Sequence, residues 1–564
     1  MRPAITTRPL LLLLTLVVGA LVVAACGTTA DQGEPADRSD EADPAAGDDE
    51  RVERLRLAGG DYGQPTPFAW VRGPGRILAG YQFDTLLWWD ASGEFGPWLA
   101  EDWEANDDGT QWTFTLHDDI AWQDGEPLTA GDVAFSFDYY TEGAAADSGR
   151  GGALEVVDDV VAEDERTVTF MLPEPYAAFE SDVAGSMMIL PEHIWADVDD
   201  PQQYLEDDAF VGSGPYRLAE YDEAAGNYLF EANDDFFLGE PHVQRVEFVS
   251  VEDELLALER GELDVAEIAR EPLPDEQYDA FDAQFGRVDG FADWTLALHF
   301  NLNEGFPYDE VDFRHAVAHA VDQQDMVDRL VFGRGLPGSS GGLAPEHELN
   351  PGDLPRYDDG PDRARELLDG LGIEDTDGDG TRELPGEESF QIELLASARF
   401  TPDGPQLVSE YLEEVGLDVE VKILDRSAAD EAGAEGNYTM ALHGYGGLMS
   451  DPDTLRQRYH AEAPPRGHST VHGYADDEVD ELAEAQLTAT DPAERREIVA
   501  DLQREIAEDL PVLSTYVPTR YLFYDEATFD GWYYTPGCSP CRGSRNKHMF
   551  VTGQETGLPD QASS

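Results

Sequence analysis

The sequence predicts a mixed α/β protein whose sheets are covered by helices. Short apolar runs alternate with period two and are broken by Gly, Asp-Gly and Pro, the pattern of half-buried strands. Single capped helical segments stand between these runs, and no internal repeat runs through the chain. The 564 residues are 41% hydrophobic and 10% aromatic, enough for large cores and for two or more domains.

The elements follow in order. Asp108-Gly109 is a hairpin-type turn signal, and Trp112-Thr113-Phe114-Thr115-Leu116 after it alternates as a strand. Thr129 opens a helix as N-cap, with Asp132 where a capping box usually has Glu. Further on, the pattern gives a strand over 246–251 and helices over 252–260, 313–330 and 361–371. Asp491-Pro492-Ala493-Glu494 caps a long last helix that runs to Asp509, with Pro at its first position.

The N-terminus has a different chemistry. Arg2 and Arg8 precede an apolar run from Leu10 to Ala25 that ends in small residues at Cys26, the layout of a secretory signal. The run is short for a membrane span. Val23-Ala24-Ala25-Cys26-Gly27 resembles the bacterial lipobox, which implies lipidation at Cys26 and a signal over 1–26. Residues 27–51 are acidic, small and without an aromatic side chain, so they bury too little apolar surface to offset ordering and read as a flexible tether.

Lys plus Arg is 35 against Asp plus Glu 119, a net charge of -84, and the only lysines are Lys422 and Lys547. Such a surface repels nucleic acid and anionic headgroups, which excludes nucleic-acid partners. The excess is read as the mark of a saline habitat and not of the substrate, because charge runs are usually solvated faces; the alternative is a cationic ligand.

Several segments together resemble the family 5 bacterial extracellular solute-binding proteins, the oligopeptide, dipeptide and nickel-binding subunits of importers. They begin at Phe83-Asp84-Thr85-Leu86-Leu87 and Pro97-Trp98-Leu99-Ala100-Glu101-Asp102-Trp103-Glu104. They are densest from Asp108-Gly109-Thr110 through Trp122-Gln123-Asp124-Gly125-Glu126-Pro127-Leu128-Thr129 to Asp132-Val133. Gly212-Ser213-Gly214-Pro215-Tyr216, Glu231-Ala232-Asn233 and Gly261-Glu262-Leu263-Asp264 follow. Arg314-His315-Ala316-Val317, Val321-Asp322 and Asp509-Leu510-Pro511 complete the series.

The resemblance implies a two-lobed clamshell of the periplasmic-binding-protein kind (type II, cluster C). Its first lobe would comprise 52–96, 211–295 and 514–552, with an inserted subdomain at 97–210, a second lobe at 296–513 and a tail at 553–564. Crossings near 295 and 513 would form the hinge. A small polar solute, a peptide before an oligosaccharide, would be enclosed between the lobes and passed by a monomer to a permease with its ATPase. The protein would stand outside the cytoplasmic membrane, held by its lipid, and would need no catalytic cofactor.

The candidate ligand loop is Gly444 to Asp453, with Tyr445, Gly446, Gly447, Leu448, Asp451 and Asp453 as its binding residues. Glycines let a backbone approach a ligand, and Tyr445 offers a flat amphipathic ring. In peptide-binding relatives the loop carries an Asp that pairs with the ligand's ammonium. Leu448 stands at that position here, and Asp451 and Asp453 follow three and five residues later. The alternative is a turn with two solvated carboxylates.

Asp375-Thr376-Asp377-Gly378-Asp379-Gly380-Thr381-Arg382-Glu383 follows the calcium-loop pattern, with Gly386 where a bidentate Glu is expected. Asp375, Asp377, Asp379 and Glu383 are either ligands of a structural calcium or an acidic surface loop. Cys538 and Cys541 are spaced for a local disulfide or stand as two thiols, and no second pair exists for a four-cysteine zinc site. His315 and His319 lie four apart on an expected helix, as do His468 and His472 in a polar loop, with His443 and His460 upstream. Such pairs bind zinc or nickel only when a third ligand converges. No nucleophile elbow, phosphate loop or dinucleotide fingerprint is present, so the remaining enzyme class is a glycosidase with two carboxylates. An adhesive surface protein is the third reading.

Overall fold

The computed structural model describes residues 51–553, apart from 71–72, 90–93, 146–151, 269–272, 399–402, 466 and 536–546. Cys26 with the signal, the tether up to residue 50, Cys538, Cys541 and the tail beyond 553 lie outside the described residues.

Three principal sheets organise the chain. The first has the order Leu55–Gly59, Arg245–Ser250, Asn227–Ala232, Tyr216–Asp222, with its first pair parallel and the others antiparallel. Its apolar face meets Tyr81, Trp532 and Phe550 in one core. Between its first and last strands in sequence lies an antiparallel sheet of Ala100–Ala105, Gln111–Leu116, Thr167–Met171 and Asp159–Ala162. Helix Ala130–Thr141 packs on it, started by the expected capping box of Thr129 and Asp132. Trp98, Trp122 and Trp195 fill the core beneath.

The third sheet has eight strands. Its path runs Val265–Ile268, Val512–Tyr524, Trp294–Phe300, Met440–Gly446, Gln391–Ser397, Asp418–Leu424. Trp294–Phe300 to Met440–Gly446 is covered on both faces. On one side Phe313, Met326, Leu368 and Leu412 of four helices join Leu298 and Leu442. On the other, Leu455, Val479 and Leu502 join Ala297 and Tyr445.

Strand Val512–Tyr524 ties the halves together. Residues 512–516 pair with Leu296–His299, 516–518 with Gly335–Pro337, and 519–524 with Gly286–Phe291. Leu513 and Tyr516 therefore sit in the core of one half, and Leu522 in that of the other. Pro518, lacking an N–H, lies where the partner changes, and its carbonyl accepts from Ala292 at 3.0 Å. Two lobes thus share one continuous strand with a backbone break opposite it.

Two helical expectations are corrected. Residues 313–330 are not one helix but two, Val311–Ala320 and Gln323–Leu330, because Val321 is extended and the Asp322 side chain caps the Asp325 N–H. The helix expected from 252 starts at Glu254, since Asp253 is its N-cap.

A candidate ligand site between the lobes

Strand Met440–Gly446 ends where the lobes meet, and Gly447 turns the chain with φ 76°, a conformation that favours glycine. Asp293, in the backbone break between lobes, holds the loop. Its carbonyl accepts from Gly447 at 2.9 Å and its carboxylate from the Met449 N–H at 2.6 Å.

Tyr445 and Leu448 are each 1% exposed and belong to the second lobe's core. The Tyr445 hydroxyl lies 2.6 Å from that of Tyr459, and the Arg458 guanidinium stacks 3.8 Å from the Tyr445 ring centroid. Gly446 offers its carbonyl to Arg458. The ring is thus held edge and face by protein.

Asp451 and Asp453 are not solvated turn carboxylates. Arg495 grips Asp451 through both terminal nitrogens, at 3.0 and 2.6 Å. Asp453 is 1% exposed and receives Arg456 at 2.6 and 3.1 Å. Burial opposes the Arg456 charge, but the hydrogen bond and proximity to Asp453 outweigh it and raise the guanidinium above its ordinary value.

Residues from the inserted sheet's domain face this loop. The Ala177 N–H donates to the Leu487 carbonyl at 2.7 Å, and Arg495 reaches the Ala177 carbonyl at 3.5 Å. Leu487 also packs against the inserted domain's core. Next to that crossing, Tyr176 donates to Asp182 at 2.7 Å and Ser181 does so at 3.0 Å. Burial pushes the Asp182 carboxyl up, the two hydrogen bonds counter this in part, and Asp451 and Asp453 add to the rise. Among the described residues no basic group lies within salt-bridge distance of Asp182.

Asp182 also walls a cavity of about 100 Å³ with Trp70, Arg76, Tyr140, Leu154 and Met187. That is room for one side chain, less than the ~300 Å³ that a drug-sized ligand needs. Arg76, an exposed side chain at the cavity mouth, donates to the Ser186 carbonyl at 2.7 Å. A chamber of mixed polar and apolar lining that carries a carboxyl and a guanidinium, neither of them in a salt bridge among the described residues, can orient a small zwitterion or a peptide end.

Other sequence candidates lie elsewhere. Ligand atoms of Asp375, Asp377, Asp379 and Glu383 all fall within 4.8 Å of one another. Glu383 is buried and accepts from the Thr376 N–H and hydroxyl, while Asp375 accepts from the Gly378 and Gly380 N–H groups. His315 and His319 do share a helix, but both rings pack against Tyr357, and His315 bonds the Glu508 carbonyl. His460 bonds Glu484, and His472 bonds the Gly433 carbonyl. Sequence reasoning missed Tyr176 and Asp182, which carry no signal until the fold brings them to the interface, and Arg76, which lines the cavity beside Asp182.

Two lobes sharing a continuous strand, with polar side chains of both converging between them, define a clamshell binding protein. The sequence matches the family described as bacterial extracellular solute-binding proteins, family 5 Middle, over residues 94–464, and the chain belongs to it. It is 30% identical to Protein XP55 of Streptomyces lividans over 441 residues, 76% of this chain and 77% of that protein. It is 26% identical to the oligopeptide-binding protein AppA of Bacillus subtilis over 460 residues, 78% of this chain and 81% of AppA. The fold is similar to the substrate-binding protein CtaP of Listeria monocytogenes, with a TM-score of 0.74, 23% identity, 88% of this chain and 99% of CtaP covered. It is also similar to AppA of Bacillus subtilis in complex with a nonapeptide, with a TM-score of 0.70, 22% identity and 89% and 99% coverage. The protein is therefore a substrate-binding subunit of an ABC importer, acting outside the cytoplasm. No helix among the described residues is long and apolar enough to cross a membrane.

Proposed function

We propose that the protein is the peptide receptor of its importer, a monomer held at the outer face of the cytoplasmic membrane by a lipid on Cys26. The observation that carries this reading is Asp182, a carboxyl at the lobe interface with hydroxyl donors and, among the described residues, no cation within salt-bridge distance. A peptide's terminal ammonium supplies the missing charge, in the manner of a charge-assisted hydrogen bond worth about 1.5–3 kcal/mol. AppA, seen with a nonapeptide, supports the same ligand class. Closure then selects the liganded state, because the ammonium meets Asp182 and the second lobe's loop together.

Asp451 and Asp453 are committed to Arg495 and Arg456. Neither is left as the general acid that a glycosidase needs, which favours binding over hydrolysis.

Calorimetry with short peptides tests the reading. Peptides with a free amine bind and are recovered intact, and N-acetylation weakens them about tenfold or more, since 1.4 kcal/mol is a factor of ten. Equal affinity for free and acetylated peptides, or binding confined to oligosaccharides, overturns it. The Asp375–Glu383 loop is read as a structural calcium clip. A chelator then lowers the melting temperature, and the Asp377→Asn variant loses that response.

A further inference from the structure

A second constellation of ligating side chains lies in the second lobe, on the sheet face that carries Tyr445. Asp430 stands on helix Arg426–Glu435, His443 on strand Met440–Gly446 and His468 on the short turn Gly467–Ser469. One ligating atom of each lies within 4.8 Å of the others. His443 Nε2 is 3.7 Å and His468 Nδ1 is 3.6 Å from the same Asp430 oxygen. These separations exceed hydrogen-bond reach. They approach the edge of a tetrahedron drawn around zinc, roughly 3.3 Å for bonds of about 2.0–2.1 Å.

The fold is built to allow this approach. A Cβ added to Gly433 would meet the His468 Cβ at 2.9 Å, so the helix has a glycine where the turn crosses it. The same crossing is fastened by His472 to the Gly433 carbonyl at 2.8 Å. His443 is fixed by burial, at 2% side-chain exposure, whereas Asp430 and His468 are each 34% exposed and leave a way in from solvent. One anchored and two accessible ligands suit capture of an ion from outside.

His299 adds an independent observation. It is 1% exposed, and neither ring nitrogen has a hydrogen-bond partner. Its strand pairs it with Ala441, so it shares the face of His443, two residues further along. A buried imidazole with both nitrogens unused is costly. A water held in the fourth position of a metal would give it a partner.

We propose that Asp430, His443 and His468 form a site for a zinc-class divalent ion, with water as fourth ligand and His299 behind it. Two imidazoles and one carboxylate suit zinc and its neighbours, while the all-oxygen Asp375–Glu383 loop suits calcium. The Gly444 N–H donates to His443 Nδ1 at 3.1 Å, which puts the neutral ring's proton on Nε2. Metal at Nε2 requires this proton to move to Nδ1, and the Gly444 N–H then gives up Nδ1 as its acceptor. The bound ion would fasten the 467–472 segment to the strand that leads into the Gly447–Asp453 loop.

Cobalt titration of the whole protein, with calcium kept in excess, tests the site. One equivalent of cobalt gives the intense visible bands of four-coordinate cobalt, and zinc bleaches them. His468→Ala and Asp430→Asn each weaken cobalt binding by about 100-fold or more, since even outer-shell changes cost ~10–100-fold. Asp377→Asn leaves it unchanged. Circular dichroism of the metal-free variants verifies that the partly exposed positions 430 and 468 tolerate substitution. Weak six-coordinate spectra only, or full retention in a folded His468→Ala protein, overturns the proposal.

Discussion

Asp453 and Asp182 carry the same group and meet across the same lobe interface, yet their surroundings differ in kind. Asp453 is buried with the fork of Arg456 closed on it, and a glutamine beside it as well. Asp182 has a tyrosine and a serine hydroxyl and, among the described residues, no cation in contact with it, the Arg456 charge acting on it only from beyond ion-pair distance. A carboxylate that is already neutralised holds a loop in place. One that is partly desolvated with no counter-charge in contact is held at a free-energy cost, which a cationic ligand can relieve. The contrast divides a patch of three aspartates into two that shape the site and one that reads the solute.

The largest expected effect breaks the supporting member. Asp453→Ala leaves Arg456 without its partner. Loss of one member of a fully buried pair costs about 3–5 kcal/mol, and the 30% exposure of the Arg456 side chain brings the expectation to about 2–3 kcal/mol. Urea unfolding should show the midpoint falling with unchanged slope. A loss below about 0.5 kcal/mol, the range of ordinary surface changes, would put Asp453 among the solvated carboxylates after all.

Why one aspartate was legible and the other not follows from sequence distance. Asp451 and Asp453 sit in a glycine-rich segment after an apolar run, so a turn beside a strand end could be read directly. Their arginines come from helices Asp453–Tyr459 and Pro492–Asp509, and no local pattern assigns Arg495 to Asp451. Tyr176 and Asp182 lie in another domain, in a segment with no strand or cap signature. Local chemistry was far easier to read. The Thr129 and Asp132 capping box and the alternation of Trp112 to Leu116 depend on neighbours within a few residues, and the structure has both.

The histidines show the same boundary. A spacing of four joins two side chains only on a helix, and His468 and His472 lie on a short turn and the loop after it. The structure instead sets His468 against His443, with ring centroids 4.4 Å apart. The break in 313–330 was present in the sequence as Asp322 followed by Asp325, a cap in the middle of an apolar period. Uninterrupted periodicity concealed it.

The smaller effect concerns the solute-reading member, and its sign is opposite in the two states of the protein. Asp182→Asn should lower affinity for free-amine peptides about tenfold while leaving acetylated ones unchanged, the value of one charge-assisted contact. Without ligand the change should stabilise, because the folded protein holds this carboxyl above its ordinary range. A folded pKa raised above the unfolded value of about 3.9 gives stability that is complete below that value and is lost as pH rises through the folded one. The ligand-free wild type should therefore trail Asp182→Asn in melting temperature at neutral pH and draw level as the pH falls toward 4. Saturating peptide reverses the order at neutral pH, since the ammonium lowers the same pKa and the wild type alone gains from it. Parallel melting curves across that pH range, with and without peptide, would leave Asp182 as one more structural carboxylate and return the reading of the solute to the other residues around the cavity.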